Sequence, residues 1–132
     1  MQVRDAMSDV VLTVGPGHTL RHVAQQMSGR KVGAAVVHDE DGPGPGILTE
    51  RDILESVARG VDPETERAGE HLTQNAVIAD PVWSLDQAAA AMLRGGFRHL
   101  IVCETGGAGS QVVGVLSMRD VVRSWSTLHQ PG

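Results

Sequence analysis

The chain carries one pattern twice, and this repeat constrains its fold more than any other feature. Residues 46–52 read G-I-L-T-E-R-D and residues 114–120 read G-V-L-S-M-R-D, 68 positions later. Upstream, T-L-R-H-V-A-Q-Q-M at 19–27 is echoed by S-L-D-Q-A-A-A-A-M at 84–92, 65 positions later. Pro16 and Pro81 keep the 65-residue offset, as do V-G-A-A-V-V at 32–37 and F-R-H-L-I-V at 97–102. The register slips only in a loop, so the chain reads as two copies of one supersecondary unit, over 1–65 and 66–132.

A chain of 132 residues suits one compact domain. Each half alone is near the size at which only about 60% of the unfolded surface is buried, so the halves are expected to share a core. With 2% aromatic residues and no Tyr, that core must be built from small aliphatic side chains and Met. The net charge of -5 argues against non-specific nucleic-acid binding, which needs clustered cations to displace counterions. No run of about 18 apolar residues is present, so no membrane span is expected, and no secretory signal is visible. Cys103 is the single cysteine, which fits a cytoplasmic location.

Each half predicts strand, helix, strand, strand, helix. Val10–Val14 reads as a β-branched strand ended by Gly15-Pro16-Gly17. Thr19 caps a helix with Leu20, Val23, Ala24 and Met27 on one face and Gly29 as its stop. Val32–Val37 and Ile47–Leu48 are the next strands, joined through the Gly/Pro-rich turn at 41–46. A helix from Thr49 to Arg59 is expected to turn Ile53, Leu54 and Val57 inward. An acidic connector spans 62–72, helical after Pro63. In the second half Ala76–Ala79, Leu100–Cys103 and Val112–Leu116 read as strands, and Ser84 caps a helix. A last helix follows Ser117, with Val121, Val122 and Trp125 inward.

The shared element is glycine, two apolar residues, Thr or Ser, two residues, then Asp. One reading is a capping box, in which the N-cap hydroxyl and an acid at the third helical position satisfy orphan N–H groups. The other reading is a ligand site. Each copy leaves the end of an apolar strand, where open α/β units keep their crevices. A hydroxyl beside the first N–H groups of a helix suits an anion. A carboxylate one turn in suits a ribose diol, accepting two hydrogen bonds. Arg51 and Arg119 stand beside each Asp and add candidate phosphate contacts. Together these describe a nucleotide.

These motifs, with D-A-M-S at 5–8 and H-L-T-Q-N at 71–75, make the chain resemble a tandem pair of cystathionine-β-synthase (CBS) domains, the Bateman module. The resemblance covers Met1 to about Ser126. It implies an α+β fold of the α/β type: two pseudo-symmetric β-α-β-β-α motifs packed through their sheets into one module. It implies adenosyl ligands (AMP, ADP, ATP or S-adenosylmethionine) in clefts between the motifs, sensing of energy state, regulation of an unidentified partner protein, and a homodimer. By family analogy Thr49 and Asp52 share a cleft with Val77, Arg98 and His99. Ser117 and Asp120 share one with Leu12, Lys31, Val32, Gly33 and Ala34. The second copy departs from the family in placing Arg98 and His99 opposite Gly33 and Ala34, a fixed and a switchable cation.

An enzyme is not expected. The nucleophile-elbow, phosphate-loop and zinc-protease motifs are missing, and Cys103 lies in an apolar strand as a buried thiol. No required cofactor and no metal site are expected, since His18 and His22 have no second ligand pair in the sequence. The remaining alternative is a structural dimerisation module in which both motifs are helix caps only.

Overall fold

The computed structural model describes residues 1–38, 45–72, 78–105 and 110–128. The expected strand at Ala76–Ala79, the end of the H-L-T-Q-N motif, most of the 41–46 turn and the tail beyond 128 lie partly or wholly outside them. The described elements are α1 (Val3–Ala6), β1 (Thr13–Val14), α2 (Leu20–Arg30), β2 (Ala34–Val37), β3 (Gly46–Thr49) and α3 (Glu50–Ala58). They continue with α4 (Ala68–His71), β4 (Ile78–Ala79), α5 (Leu85–Gly95), β5 (His99–Thr105), β6 (Ser110–Ser117) and α6 (Met118–Leu128). The fold is α+β, with two three-stranded sheets of orders β1-β2-β3 and β4-β5-β6.

The register of the sheets reproduces the register of the sequence repeat. β1 runs parallel to β2 with Thr13 opposite Val36, and β4 runs parallel to β5 with Ile78 opposite Ile101. Antiparallel β2–β3 pairs Ala34 with Thr49, and β5–β6 pairs His99 with Ser117. All four residues of β2 are buried, as a continuous apolar strand requires.

The packing units cut the chain differently from the sequence repeat. One compact unit is Leu12–Ala76; the other is Met1–Val11 with Val77–Gly132. The reason is an exchange of short helices. In the first unit the Ala68 and Gly69 N–H groups donate to the carbonyls of His18 and Pro16 (2.8 and 2.9 Å). In the second, Val3 and Arg4 donate to Trp83 and Pro81 (2.8 and 2.9 Å), the same positions shifted by the repeat. Ala68 is buried with Leu12, Leu20, Val23 and Leu48; Val3 is buried with Leu85, Met92, Leu100 and Leu116. Each core thus takes residues from both copies. The Ser8 and Val115 backbones exchange hydrogen bonds at 3.0 Å along β6. This needs Gly114, where a Cβ would lie 2.8 Å from the Ser8 carbonyl oxygen.

Several local expectations are corrected. β1 spans two residues, and Val10 before it is half-exposed, because only Thr13–Val14 pair with β2. α2 runs through Gly29 and stops on Lys31, whose φ of 56° makes it the left-handed cap. The connector forms helix only at Ala68–His71. The inward face of α3 carries Ile53 and Ser56, while Leu54 and Val57 are exposed. α6 repeats this: Val121 packs on the core and Val122 and Trp125 are exposed.

Candidate functional site

Both candidate motifs sit where a strand runs directly into a helix. Thr49 ends β3 and caps α3. Its N–H donates to Asp52 Oδ2 (2.9 Å) and the Asp52 N–H donates to Thr49 Oγ1 (3.2 Å). Ser117 ends β6, its N–H donates to Asp120 Oδ2 (2.9 Å), and Asp120 N–H donates to Ser117 Oγ (3.0 Å). The capping boxes are therefore formed in both copies. Each box uses one carboxylate oxygen. A carboxylate has two, with about four acceptor sites, so capping does not exhaust either Asp. All four side chains are half-buried, within reach of solvent.

Within each unit the preceding strand completes the turn. The Glu50 N–H donates to the Gly33 carbonyl (3.0 Å), and the Met118 N–H donates to the Arg98 carbonyl (2.8 Å). Gly33 and Ala34 thus stand beside Thr49, and Arg98 and His99 stand beside Ser117. The two starts differ in charge. Glu50 lies over Gly33, with its Oε1 2.5 Å from where a Cβ would be, so acids occupy the first turn at both 50 and 52. In the other unit Met118 replaces Glu50, and the exposed Arg98 replaces Gly33.

The remaining candidates are placed as follows. Leu12 is buried in the core, and its carbonyl accepts the Val36 N–H (2.8 Å). Val32 packs against the same core, and Lys31 is exposed at the end of α2. Arg51 is exposed and paired along the helix with Glu55 (2.9 Å), and Arg119 is exposed. Val77 lies outside the described residues. Burial raises the Cys103 thiol above its ordinary value, which disfavours the thiolate a nucleophile needs. Sequence reading overlooked Glu50, and it overlooked Glu66, Glu70 and His71, whose ligand atoms the fold gathers within 4.8 Å of one another. Their i, i+4, i+5 spacing gives a faint signal, because Glu66 precedes the helix.

The repeat of sheet order, register and box geometry is that of a paired domain, and residues 3–59 and 68–126 match the CBS domain family. The chain belongs to the CBS domain family. It is 32% identical over 120 residues to the CBS domain-containing protein YhcV of Bacillus subtilis, covering 90% of this chain and 81% of that protein. It is similar to the structure of a putative signal-transduction protein with CBS domains from Burkholderia ambifaria, with TM-score 0.83, 25% identity and coverage of 100% and 98%. It also shares its fold with a hexameric CBS-CP12 protein from bloom-forming cyanobacteria, with TM-score 0.85, 24% identity and coverage of 100% and 76%. CBS pairs are generally regulatory modules or proteins of unknown function, and the family often binds adenosine ligands. Among the described residues, no helix is long and apolar enough to cross a membrane.

Proposed function

We propose that this CBS pair is a cytoplasmic regulatory module that binds an adenosyl ligand and passes its occupancy to a partner protein. The observation that carries this reading is the doubled box. Two helix starts, each leaving an apolar strand, present a hydroxyl and a carboxylate one turn apart. Thr49 or Ser117 would meet phosphate, and Asp52 or Asp120 the ribose diol through the oxygen outside the box. Arg98 and His99, then Lys31, Val32, Gly33 and Ala34, are the neighbouring groups proposed to shape selectivity. No required cofactor is proposed. Thermal unfolding across AMP, ADP, ATP and S-adenosylmethionine tests the reading. A ligand at about 100 times its dissociation constant should stabilise the chain by about 2.7 kcal/mol. Absence of any shift at millimolar ligand would leave the boxes as caps only.

We also propose a homodimer. α3 exposes Leu54 and Val57, and α6 exposes Val122 and Trp125 at the equivalent repeat positions, with Met118 exposed at its start. Leu54 is 69% exposed and Val122 60%. A second copy would remove this doubled stripe from water at about 25 cal/mol per Å² of apolar surface. Leu54→Asp with Val122→Asp is expected to convert a dimer to monomer by light scattering, with the melting temperature of the monomer preserved. A wild-type monomer at every accessible concentration would exclude the dimer.

A further inference from the structure

We propose that the connector of the Leu12–Ala76 unit holds a divalent transition-metal ion of the zinc class, ligated by Glu66, Glu70 and His71. The imidazole is set up as a ligand by its second nitrogen. Ser56, 1% exposed, sits on the inward face of α3 and donates its hydroxyl proton to the Asp52 carbonyl (2.8 Å). Its oxygen is therefore left to accept from His71 Nδ1, 3.2 Å away, which directs Nε2 to serve as the ligating nitrogen. That Nε2 has no exposed area and no hydrogen-bond partner among the described residues. A buried ring nitrogen left so is costly unless something binds it.

The space it faces is lined by carboxylates. Glu66 Oε2 is 3.5 Å from Nε2, and Glu66, Glu70 and His71 each bring a ligand atom within 4.8 Å of the others. Ligands about 2.0–2.2 Å from a tetrahedral ion stand about 3.3–3.6 Å apart. The Glu66–His71 pair already has that separation, and Glu70, which is exposed, needs to close by little more than about 1 Å. The nearby guanidinium groups are used elsewhere: Arg67 donates to the Gly17 carbonyl and Arg21 pairs with Glu64. Two carboxylates and a neutral imidazole match a double positive charge. The nitrogen ligand favours zinc-like ions over magnesium or calcium, which take oxygen. An open fourth position would hold water. The bound ion would tie the connector, through Ser56, to the helix that begins at Thr49.

The test is calorimetric titration of the untagged full chain, stripped of metal and free of nucleotide, with Zn2+ alone. One ion per chain is expected. Glu70→Gln, an exposed change that preserves the fold, should weaken binding tenfold or more, and His71→Gln should do the same. His18→Gln with His22→Gln, which removes the stacked surface pair, should leave binding unchanged. No Zn2+ binding by the wild-type chain overturns the proposal. So does undiminished binding by Glu70→Gln, or loss of binding in the His18/His22 variant. Because no nucleotide is present, none of these results depends on the adenosyl-ligand reading.

Discussion

Asp52→Ala and Asp120→Ala are each expected to weaken adenosyl-ligand binding by tenfold or more, and the double variant to abolish it at micromolar ligand. Hydrogen bonds to a charged group contribute roughly 1.5–3 kcal/mol, and each Asp would give a ribose at least one. Each also accepts the N–H of its own N-cap residue at 2.9 Å, so removal will cost stability as well, about 1 kcal/mol per helix. Asn at the same positions separates the two effects. Its amide oxygen can still receive the Thr49 or Ser117 N–H, so stability should fall by little, while the charge and the second acceptor are lost. Calorimetric titration beside a urea denaturation curve reads both quantities. Affinity per folded molecule that is unchanged in the Asn and Ala variants would make these carboxylates helix caps and nothing more.

Val3→Asp is expected to destabilise the unit built from the second repeat by about 3–5 kcal/mol, the cost typical of a buried charge left without a partner. Val3 is fully buried among Leu85, Leu100 and Leu116, although 1–65 contains the repeat to which it belongs by sequence. Hydrogen exchange should rise first in α5 and β6, and least in α2 and α3. Val10→Asp is the control: Val10 is 51% exposed, and such surface changes usually stay within about 0.5 kcal/mol. If Val3→Asp instead loosened Leu12–Ala76, the helix exchange would be wrong.

The repeat was legible because its offsets are set by the backbone. The 65-residue offset pairs β4 with β5 as β1 with β2, and the 68-residue offset sets Ser117 against His99 as Thr49 against Ala34. The caps were legible too, since a hydroxyl and an acid three residues apart satisfy N–H groups of the same helix and need nothing distant. The inward faces of α2 and α5 were legible as well, with Leu20, Val23 and Met27, then Leu85, Ala88 and Met92, buried as their spacing predicts. What failed was the inward face of α3 and α6. Periodicity assigned Leu54, Val57, Val122 and Trp125 to the interior, yet a helix has one inward stripe, and tertiary packing gave it to Ile53 with Ser56 and to Val121. Local pattern likewise missed α1 and overextended α4 through the connector; both are four residues, too short to be stable by propensity. They exist because Val3 and Ala68 dock on the opposite repeat, and that docking also turns His71 toward Ser56, Glu66 and Glu70. Sequence by itself determined the doubled unit and its capped helix starts, because those interactions are local. The tertiary structure alone decided the exchange of helices and the outward apolar stripes, because each depends on contacts between residues that no short-range spacing connects; the carboxylate–imidazole cluster joins residues close in sequence, but it is set by the docking of α4 and the distant Ser56.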